Sequence, residues 1–596
     1  MQTVVDYQSI HDMLREAAER YGTRDAYRWI LNDSGETEAA SFKQCYDRAC
    51  MVAAALAAVG VRKGDRVCIL GFSSFPWVLC DFVVIFAGAC TVGIYHSSLP
   101  EDCAYIIRHS GAKAIFVDNP DQLEKIRAVK RKLPSLRRAI LLHGTVTKDC
   151  RGWAVTFDEF LARADAKPVR LPIMKPNDLA AIVYTSGTTG VPKGAMLTHD
   201  NIIFTSQTVR NTMPICEGDE TFLFLPLAHI FARVDIYATF ISGITITFCR
   251  SIETIIADLA IAKPHWFPSV PRIFDKVYSR VRSAAISKGG IVLALFNWAF
   301  STGYKVSDRI VAKKTVPPFL ALQYRIASKL VFARLHNALG GRIRFCVSGA
   351  APLNPDVARF FHAAGIPIIE GYGMTENTSY TNATRLDNLR FGSVGFPAPG
   401  VEQRIAPDGE ILYRGRNVMK GYYRMPRETA KAIDRNGWLH TGDLGMVDGN
   451  GFLFITGRKK DLIITSGGKN IAPEPIESRL TTSRYIAQAC VIGDRRKYLT
   501  ALITLDPDNA REFAQKEGIP LGEEGVPLDH PKIIALIEKE VAEVNRHLAS
   551  YETVKRFTIV PEFTLEKGLA TPTLKIKRAV IEARYAKVIN AMYPDD

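Results

Sequence analysis

The chain has 596 residues, more than one hydrophobic core usually serves, so two or more domains are expected. Its 47% hydrophobic and 23% charged residues are the proportions of a globular protein, and no low-complexity tract or short-period repeat interrupts them. Lys and Arg number 76 against 61 Asp and Glu, giving +15, which suits an anionic ligand, an anionic membrane surface or simply a basic solvated face; the dispersal of the cations argues against nucleic acid.

In chain order, residues 1–6 show no basic stretch followed by an apolar one, so no secretory signal is read there. Ser9 caps a helix whose apolar side is Ile10, Met13, Leu14, Ala17 and Tyr21, a 3.6-residue period that packs on a core. Ser41 opens a second helix with Cys45, Tyr46, Ala49, Ala53 and Leu56 inward and Gly60 at its end. Strand and helix then alternate: strand 66–70, helix 76–87, strand 91–94, helix 101–109, strand 113–117, helix 120–132, strand 138–142. That order implies a parallel sheet covered on both faces. The most membrane-like run, residues 75–95, contains Pro76, Asp81, Gly88 and Gly93 and divides into a buried helix and a strand, so no spanning helix is expected.

Residues 179–184 are a strand, and Asp200 begins the helix that follows its loop. Strand 221–225, a helix ending at Ser242 and strand 244–248 restart the alternation, which implies two sheet-and-helix subdomains. Residues 271–339 are helical, apolar at 291–300 and basic at Lys305, Arg309, Lys313, Lys314, Arg325, Lys329 and Arg334; enclosing a hydrophobic ligand, resting on a membrane and standing in solvent are all compatible with this. From about 400 to 457 the texture is β-rich, with turns at 407–409, 434–437 and 448–451. Residues 458–596 carry their own signals, helix 474–481, strands 486–493 and 499–505 and helix 531–548, and read as a separate lid. Eleven cysteines, scattered from Cys45 to Cys490 with no Cys-x-x-Cys pair, indicate neither a disulfide framework nor a zinc site and suit a reducing compartment.

The densest chemistry lies in Thr185-Ser186-Gly187-Thr188-Thr189-Gly190-Val191-Pro192-Lys193-Gly194, entered from the apolar run Ala180-Ala181-Ile182-Val183. Glycines that allow close backbone approach, hydroxyl and N–H donors and one mobile cation make a loop able to wrap phosphate. Pro192 before the lysine, and no Gly-Lys-Ser/Thr opening a helix, distinguish it from a Walker A loop. Gly371-Tyr372-Gly373-Met374-Thr375-Glu376 supplies a ring to stack on a base, a hydroxyl for phosphate and a carboxylate for Mg²⁺. Trp438-Leu439-His440-Thr441-Gly442-Asp443 ends in a carboxylate placed to accept from ribose hydroxyls or to cap its own turn. Arg458-Lys459-Lys460-Asp461 and Ser466-Gly467-Gly468-Lys469 form a charged hinge to the lid, and Thr571 to Arg578 sets Lys575, Lys577 and Arg578 beside a proline-restricted turn.

This ordered set resembles the adenylate-forming superfamily of acyl-CoA synthetases, luciferases and peptide-synthetase adenylation domains, over nearly the whole chain. Pro268-Ser269-Val270-Pro271-Arg272, residues 569–578 and the long helical insertion are similar to its long-chain fatty acyl-CoA synthetase branch. The resemblance implies an α/β fold: a large N-terminal domain, residues 1–457, of two sheet-and-helix subdomains plus a distorted β-barrel, and a small mobile α+β C-terminal domain, residues 458–596. It assigns Thr185, Ser186, Gly187, Thr188, Thr189, Gly190 and Lys193 to the phosphates of ATP. Tyr372 and Gly373, opposite Gly349, Ala350 and Ala351, take the adenine, and Asp443 and Arg458 the ribose. Thr375 meets the α-phosphate, and Glu376 with Thr185 holds Mg²⁺. Lys575 is the catalytic lysine, although relatives often read Gly-Lys where Leu574-Lys575 stands and Lys577 follows. Lys460 is the hinge, and Gly467, Gly468 and Lys469 approach the pantetheine of coenzyme A. His229, in Pro-Leu-Ala-His-Ile-Phe, borders the acyl pocket or is a satisfied core histidine.

The activity implied is ATP-dependent conversion of a long-chain fatty acid to acyl-AMP and then to its coenzyme A thioester. Loading of a carrier protein, or ligation of another hydrophobic or aromatic acid, are the alternatives. Intact Lys193, Glu376, Asp443, Arg458 and Lys575 argue against a silent lipid-binding relative. The same reading expects a cytoplasmic protein, peripheral association with the inner face of a membrane being open, and specifies no oligomeric state.

Overall fold

Ser9 accepts a hydrogen bond from the Asp12 N–H, so the first helix, Ile10–Tyr21, starts where the capping residue dictates and buries Ile10, Met13, Leu14, Ala17 and Tyr21. Ser41 and Gln44 form a reciprocal capping box on the next helix, Phe42–Ala58. In the computed structural model, which describes residues 5–162, 171–185, 191–522, 525–571 and 575–594, these helices pack with Phe75–Phe86, His199–Thr212 and Ile230–Ser242. Together they fill one large apolar core between two sheets.

One sheet has eight strands, in the order Gly421–Tyr422, Lys193–Thr198, Leu179–Thr185, Cys90–Tyr95, Arg66–Gly71, Ala114–Val117, Arg138–Leu141 and Ala154–Thr156. The other has nine, with Ile368–Tyr372, Phe345–Ser348, Trp266–Ser269, Glu220–Leu223 and Thr245–Phe248 parallel at its centre. The alternation expected from residue 66 onward is present, with ends within a residue or two. Two elements differ from expectation. Asp25–Ile30 and Thr37–Ser41, not expected as strands, form a hairpin that joins the nine-stranded sheet, Tyr27 opposite Ile246; its partner lies some two hundred residues away, beyond any local signal. The loop after Leu179–Thr185 does not lead directly into a helix but returns as the antiparallel strand Lys193–Thr198, Thr185 opposite Lys193. The short segment Lys193–Thr198 gains its ladder from neighbours on both sides, Leu179–Thr185 and Gly421–Tyr422.

A buried ion pair ties the two layers together. Arg233 donates from Nε to Asp81 Oδ2 at 3.0 Å and from Nη2 to Oδ1, while Tyr237 donates to the same carboxylate at 2.6 Å; Arg233 and Asp81 are 1% and 0% exposed. This fixes helix Ile230–Ser242, which His229 caps, against helix Phe75–Phe86.

The β-rich stretch is a half-barrel of Val401–Ile405, Glu410–Gly415, Leu439–Val447 and Leu453–Arg458, its hairpins turning at Asp408-Gly409 and Asp448 to Gly451. Beyond it, Ile486–Ile492, Leu499–Leu505 and Val554–Ile559 form a three-stranded sheet flanked by helices Pro473–Leu480 and Pro531–Asn545, with apolar cores of its own. The eleven cysteines are free and nine are buried. Among the described residues no helix is long and apolar enough to cross a membrane.

Candidate active site

The site assembles where four backbone features converge. Strand Ile368–Tyr372 ends at the edge of its parallel run, and the chain turns at once through Gly373 and a short 3₁₀ turn, Thr375–Asn377. A Cβ on Gly373 would stand 1.5 Å from the Ser379 carbonyl oxygen, so the sharp return of the chain, with Thr378 and Ser379 at φ 57° and 78°, requires glycine there. The turn places the buried Glu376 carboxylate beside Tyr422, whose hydroxyl donates to Oε1 at 2.7 Å. Tyr422 is there because Gly421–Tyr422 pairs with Lys193–Thr198, Tyr422 opposite Ala195.

That edge strand also carries Lys193, whose ammonium pairs with Glu428 and stands 5.2 Å over the Tyr422 ring. Thr185, directly across the hairpin, donates through Oγ1 to the Lys193 carbonyl at 3.4 Å. Ser186, Gly187, Thr188, Thr189 and Gly190 lie outside the described residues.

The half-barrel contributes the third feature. A register shift follows Glu410 in its pairing with Leu439–Val447, and Gly442 sits at φ 71°; the irregularity turns Asp443 toward the Tyr372 ring. Tyr372 donates to Asp443 Oδ2 at 2.7 Å, and Arg458, the cross-strand partner of Asp443, approaches Oδ1 with Nε at 3.3 Å. The fourth feature is the turn near the C-terminus, where Ala570 bridges Ile576 and the Lys575 N–H donates to Thr571 Oγ1 at 3.1 Å.

These features line one cavity of about 950 Å³. Of the residues singled out from sequence, Thr185, Lys193, His229, Ala350, Ala351, Tyr372, Gly373, Thr375, Glu376, Asp443, Arg458, Lys460 and Lys575 all border it. Lys577 does not; it precedes helix Arg578–Arg584. Gly349 lies instead in an adjoining apolar pocket, which shares His229, Ser348, Ala350 and Gly371 to Met374 with the large cavity. Gly467, Gly468 and Lys469 stand elsewhere, on an exposed turn closed by Thr465 and Lys469, with the Lys469 ammonium 5.4 Å over the Tyr551 ring.

Electrostatics follow from this enclosure. Lys575 projects into the open space of the cavity, so its own surface is exposed, yet the surrounding protein desolvates it. Burial, then repulsion from Arg458, pulls its ammonium below the ordinary lysine range against the attraction of Glu474 and Asp443. Burial likewise lowers Lys460 and raises Glu376, the latter opposed by the Tyr422 hydroxyl. Burial, then Lys575, pushes His229 down to about 4, and its Nδ1 accepts from the Phe231 N–H at 3.2 Å, so the ring is a neutral helix cap at the boundary of the two spaces.

Sequence reasoning missed Tyr422, Glu428 and Glu474, all of which line the cavity. Glu428 is 235 residues from Lys193, and no local pattern announces the pair. Glu474, within Pro473-Glu474-Pro475, follows the hinge motif closely enough that its neighbourhood was the available signal. Among the described residues no three His, Cys, Asp or Glu side chains gather as a metal site. Glu376 and Thr185 offer two hard oxygen donors on the wall of the same cavity. That set fits Mg²⁺, which keeps several water or phosphate ligands and needs few from protein.

A fold of two sheet layers, half-barrel and small C-terminal unit around such a cavity is that of the adenylating enzymes, and the chain belongs to the AMP-binding enzyme family. The family's model matches residues 14–423, and the model of the AMP-binding enzyme C-terminal domain matches 460–596. The long-chain-fatty-acid–CoA ligase FadD15 of Mycobacterium tuberculosis is 36% identical over 550 residues, covering 90% of this chain and 89% of that protein. The Xenopus laevis long-chain-fatty-acid–CoA ligase ACSBG2 is 33% identical over 98% of this chain and 84% of its own. The anthranilate–CoA ligase AuaEII, solved in complex with anthranoyl-AMP, superposes with a TM-score of 0.74 over 99% of both chains at 22% identity, a likeness of fold.

Proposed function

We propose that this chain is an AMP-forming long-chain fatty acid–CoA ligase, which joins a fatty acid to ATP as acyl-AMP with loss of pyrophosphate and then transfers the acyl group to coenzyme A with loss of AMP. The observation that carries this is the convergence of Lys575, Glu376 and the Tyr372–Asp443–Arg458 set on one cavity continuous with an apolar pocket. In this reading adenine stacks on Tyr372 beside Ala350 and Ala351, the ribose hydroxyls bond Asp443 and Arg458, and the phosphates lie toward Thr185, Thr375 and Lys193. The acyl chain enters the apolar pocket, with its carboxylate at the boundary near His229.

From there a carboxylate oxygen attacks the α-phosphorus in line, and the bond to the pyrophosphate oxygen breaks. Lys575, which the surrounding protein desolvates, and the donors on Thr185 and Lys193 offset the negative charge that develops. Glu376 and Thr185 would hold Mg²⁺, which when bound would supply further charge compensation. No covalent nucleophile is needed from the protein.

We divide the chain at residue 457, with residues 458–596 turning about Lys460; separate apolar cores on either side support this division. With Lys575 in the cavity, the turn bearing Gly467, Gly468 and Lys469 is outside it, so one arrangement serves one half-reaction. Rotation withdraws Lys575 and brings that turn to the acyl-AMP. The thiolate of coenzyme A then attacks the acyl carbon, and AMP leaves with the bonding pair. We further place the protein in a reducing, cytoplasmic setting at a membrane surface: helices Gly290–Val311 and Pro318–Ala327 pack together and expose Ile310, Phe319, Leu322 and Ile326 among Lys313, Lys314 and Arg325.

The test is AMP release from ATP with Mg²⁺ and graded fatty, branched and aromatic acids, with free coenzyme A set against a holo-carrier protein. Preferred turnover of long-chain acids with coenzyme A is expected. Turnover with the carrier alone, or of aromatic acids alone, refutes it. Co-sedimentation with anionic but not neutral vesicles checks the membrane position.

A further inference from the structure

The apolar pocket beyond His229 contains polar groups that serve neither the fold nor the reaction described above. Asp235 lies one helical turn past Phe231, so the two share a face of helix Ile230–Ser242, and both line the pocket. Asp235 is 8% exposed, and its Oδ2 is buried without a hydrogen-bond partner. From the adjoining sheet Trp266, 3% exposed, lines the same pocket, and its Nε1 is also buried and unpartnered. Its indole is held by stacking on Phe345, centroids 5.8 Å apart and planes 4° from parallel. Ser348, whose buried Oγ is unpartnered too, borders both spaces and so belongs to the mouth where a carboxylate would sit. Asp235 and Trp266 border the apolar pocket alone.

A carboxyl and an indole N–H in a chamber of about 60 Å³ are ill suited to a plain alkyl chain, which would seal both from water and bond neither. Burial pushes the Asp235 carboxyl up to about 8, so near neutral pH it is largely an uncharged acid, able to accept and to donate. Six residues beyond His229 at the helical rise, Asp235 stands about 9 Å along the helix from the mouth. A group that satisfied it would therefore sit well along the acyl chain rather than beside the reacting carboxylate.

We propose that Asp235 and Trp266 form a polar subsite that selects acids bearing a hydroxyl group remote from the carboxylate, the hydroxyl donating to Asp235 Oδ2 and accepting from Trp266 Nε1. This rests on the reading of the pocket as the acyl site. The experiment is ATP–pyrophosphate exchange by the full-length protein on hydroxy fatty acids with the hydroxyl stepped along the chain, each paired with its unsubstituted parent. At one position of the hydroxyl, kcat/KM exceeds that of the parent by roughly tenfold or more, because a site built for the hydroxyl rejects the analogue lacking it. Asp235→Leu reverses that ratio in favour of the parent, Asp235→Asn keeps part of it, and Trp266→Phe lowers it. Parents turned over as well as every hydroxy acid by the unaltered protein, a comparison that needs no variant to fold, overturn the subsite alone. An unchanged ratio in Asp235→Leu does the same, whereas exchange with no acid of either kind overturns the acyl-site reading with it.

Discussion

Replacing Lys575 by alanine tests the division of labour between the two half-reactions. Lys575 enters the cavity from the C-terminal unit, in company with Arg458, Asp443 and Glu474. A cation at about 4 Å from a developing charge contributes on the order of 4 kcal/mol at an effective dielectric of about 20. Loss of one preorganised donor in such sites lowers kcat by about 10²–10³-fold, or roughly 2.7–4 kcal/mol, in agreement with that figure. ATP–pyrophosphate exchange by Lys575→Ala should fall by this factor, while thioester formation from supplied acyl-AMP and coenzyme A stays near the unaltered rate. Lys577→Ala, which changes a residue outside the cavity, should affect neither. The pH profile gives a second readout. Because the folded protein holds the ammonium below its ordinary 10.5, the protonated form is lost at lower pH than for free lysine. The basic limb of kcat/KM for exchange, which reports the free enzyme, should therefore fall below that value and move upward in Lys575→Arg. Equal loss of both half-reactions, or exchange that survives in Lys575→Ala, would refute the assignment.

Asp81→Ala strands the Arg233 guanidinium, 1% exposed, without its carboxylate and should destabilise by about 3–5 kcal/mol, read as a lower thermal midpoint; Asp81→Leu with Arg233→Met should recover most of it. Gly373→Ala drives a Cβ against the Ser379 carbonyl and should abolish nucleotide binding in calorimetry, whereas at Gly371 the nearest atom is 3.7 Å away and Gly371→Ala should bind. Glu370, raised by burial from 4.5 to about 8, stays protonated when folded across a range where it is ionised when unfolded. Its contribution to stability is thus present below 4.5, declines as pH rises toward 8 and is level above; midpoints of Glu370→Gln should fall less than those of the unaltered protein over that window.

Much of the architecture is local enough to read in one dimension. Ser9 and Ser41 cap helices because a hydroxyl reaches only the N–H groups two or three residues ahead. The alternation from residue 66 to 142 announces a parallel sheet because each strand buried on both faces is followed by a helix that must cover it. The half-barrel turns likewise carry their glycines with them. The hairpin Asp25–Ile30 and Thr37–Ser41 has a local ladder of its own, and what lies beyond local signal is its docking on Thr245–Phe248; Lys193–Thr198 likewise has a local partner in Leu179–Thr185 and a distant one in Gly421–Tyr422.

Within the site, sequence by itself narrowed the candidates: groups suited to phosphate, base, ribose and metal lie in short runs, and most of those described border one cavity. Which groups meet was decided only in three dimensions. Tyr422 supports Glu376, and Glu428 pairs with Lys193, because a two-residue strand at a sheet edge brings them there. Asp443 faces Arg458 through cross-strand register, and Lys575 rather than Lys577 borders the cavity through the path of one turn. Asp235 reads in sequence as one more helical residue, and only the packed structure puts it in one pocket with Trp266 and Phe345 and leaves its buried Oδ2 without a hydrogen-bond partner. Register, strand order and burial are set by the collapse of the whole chain, and no stretch of a dozen residues contains them.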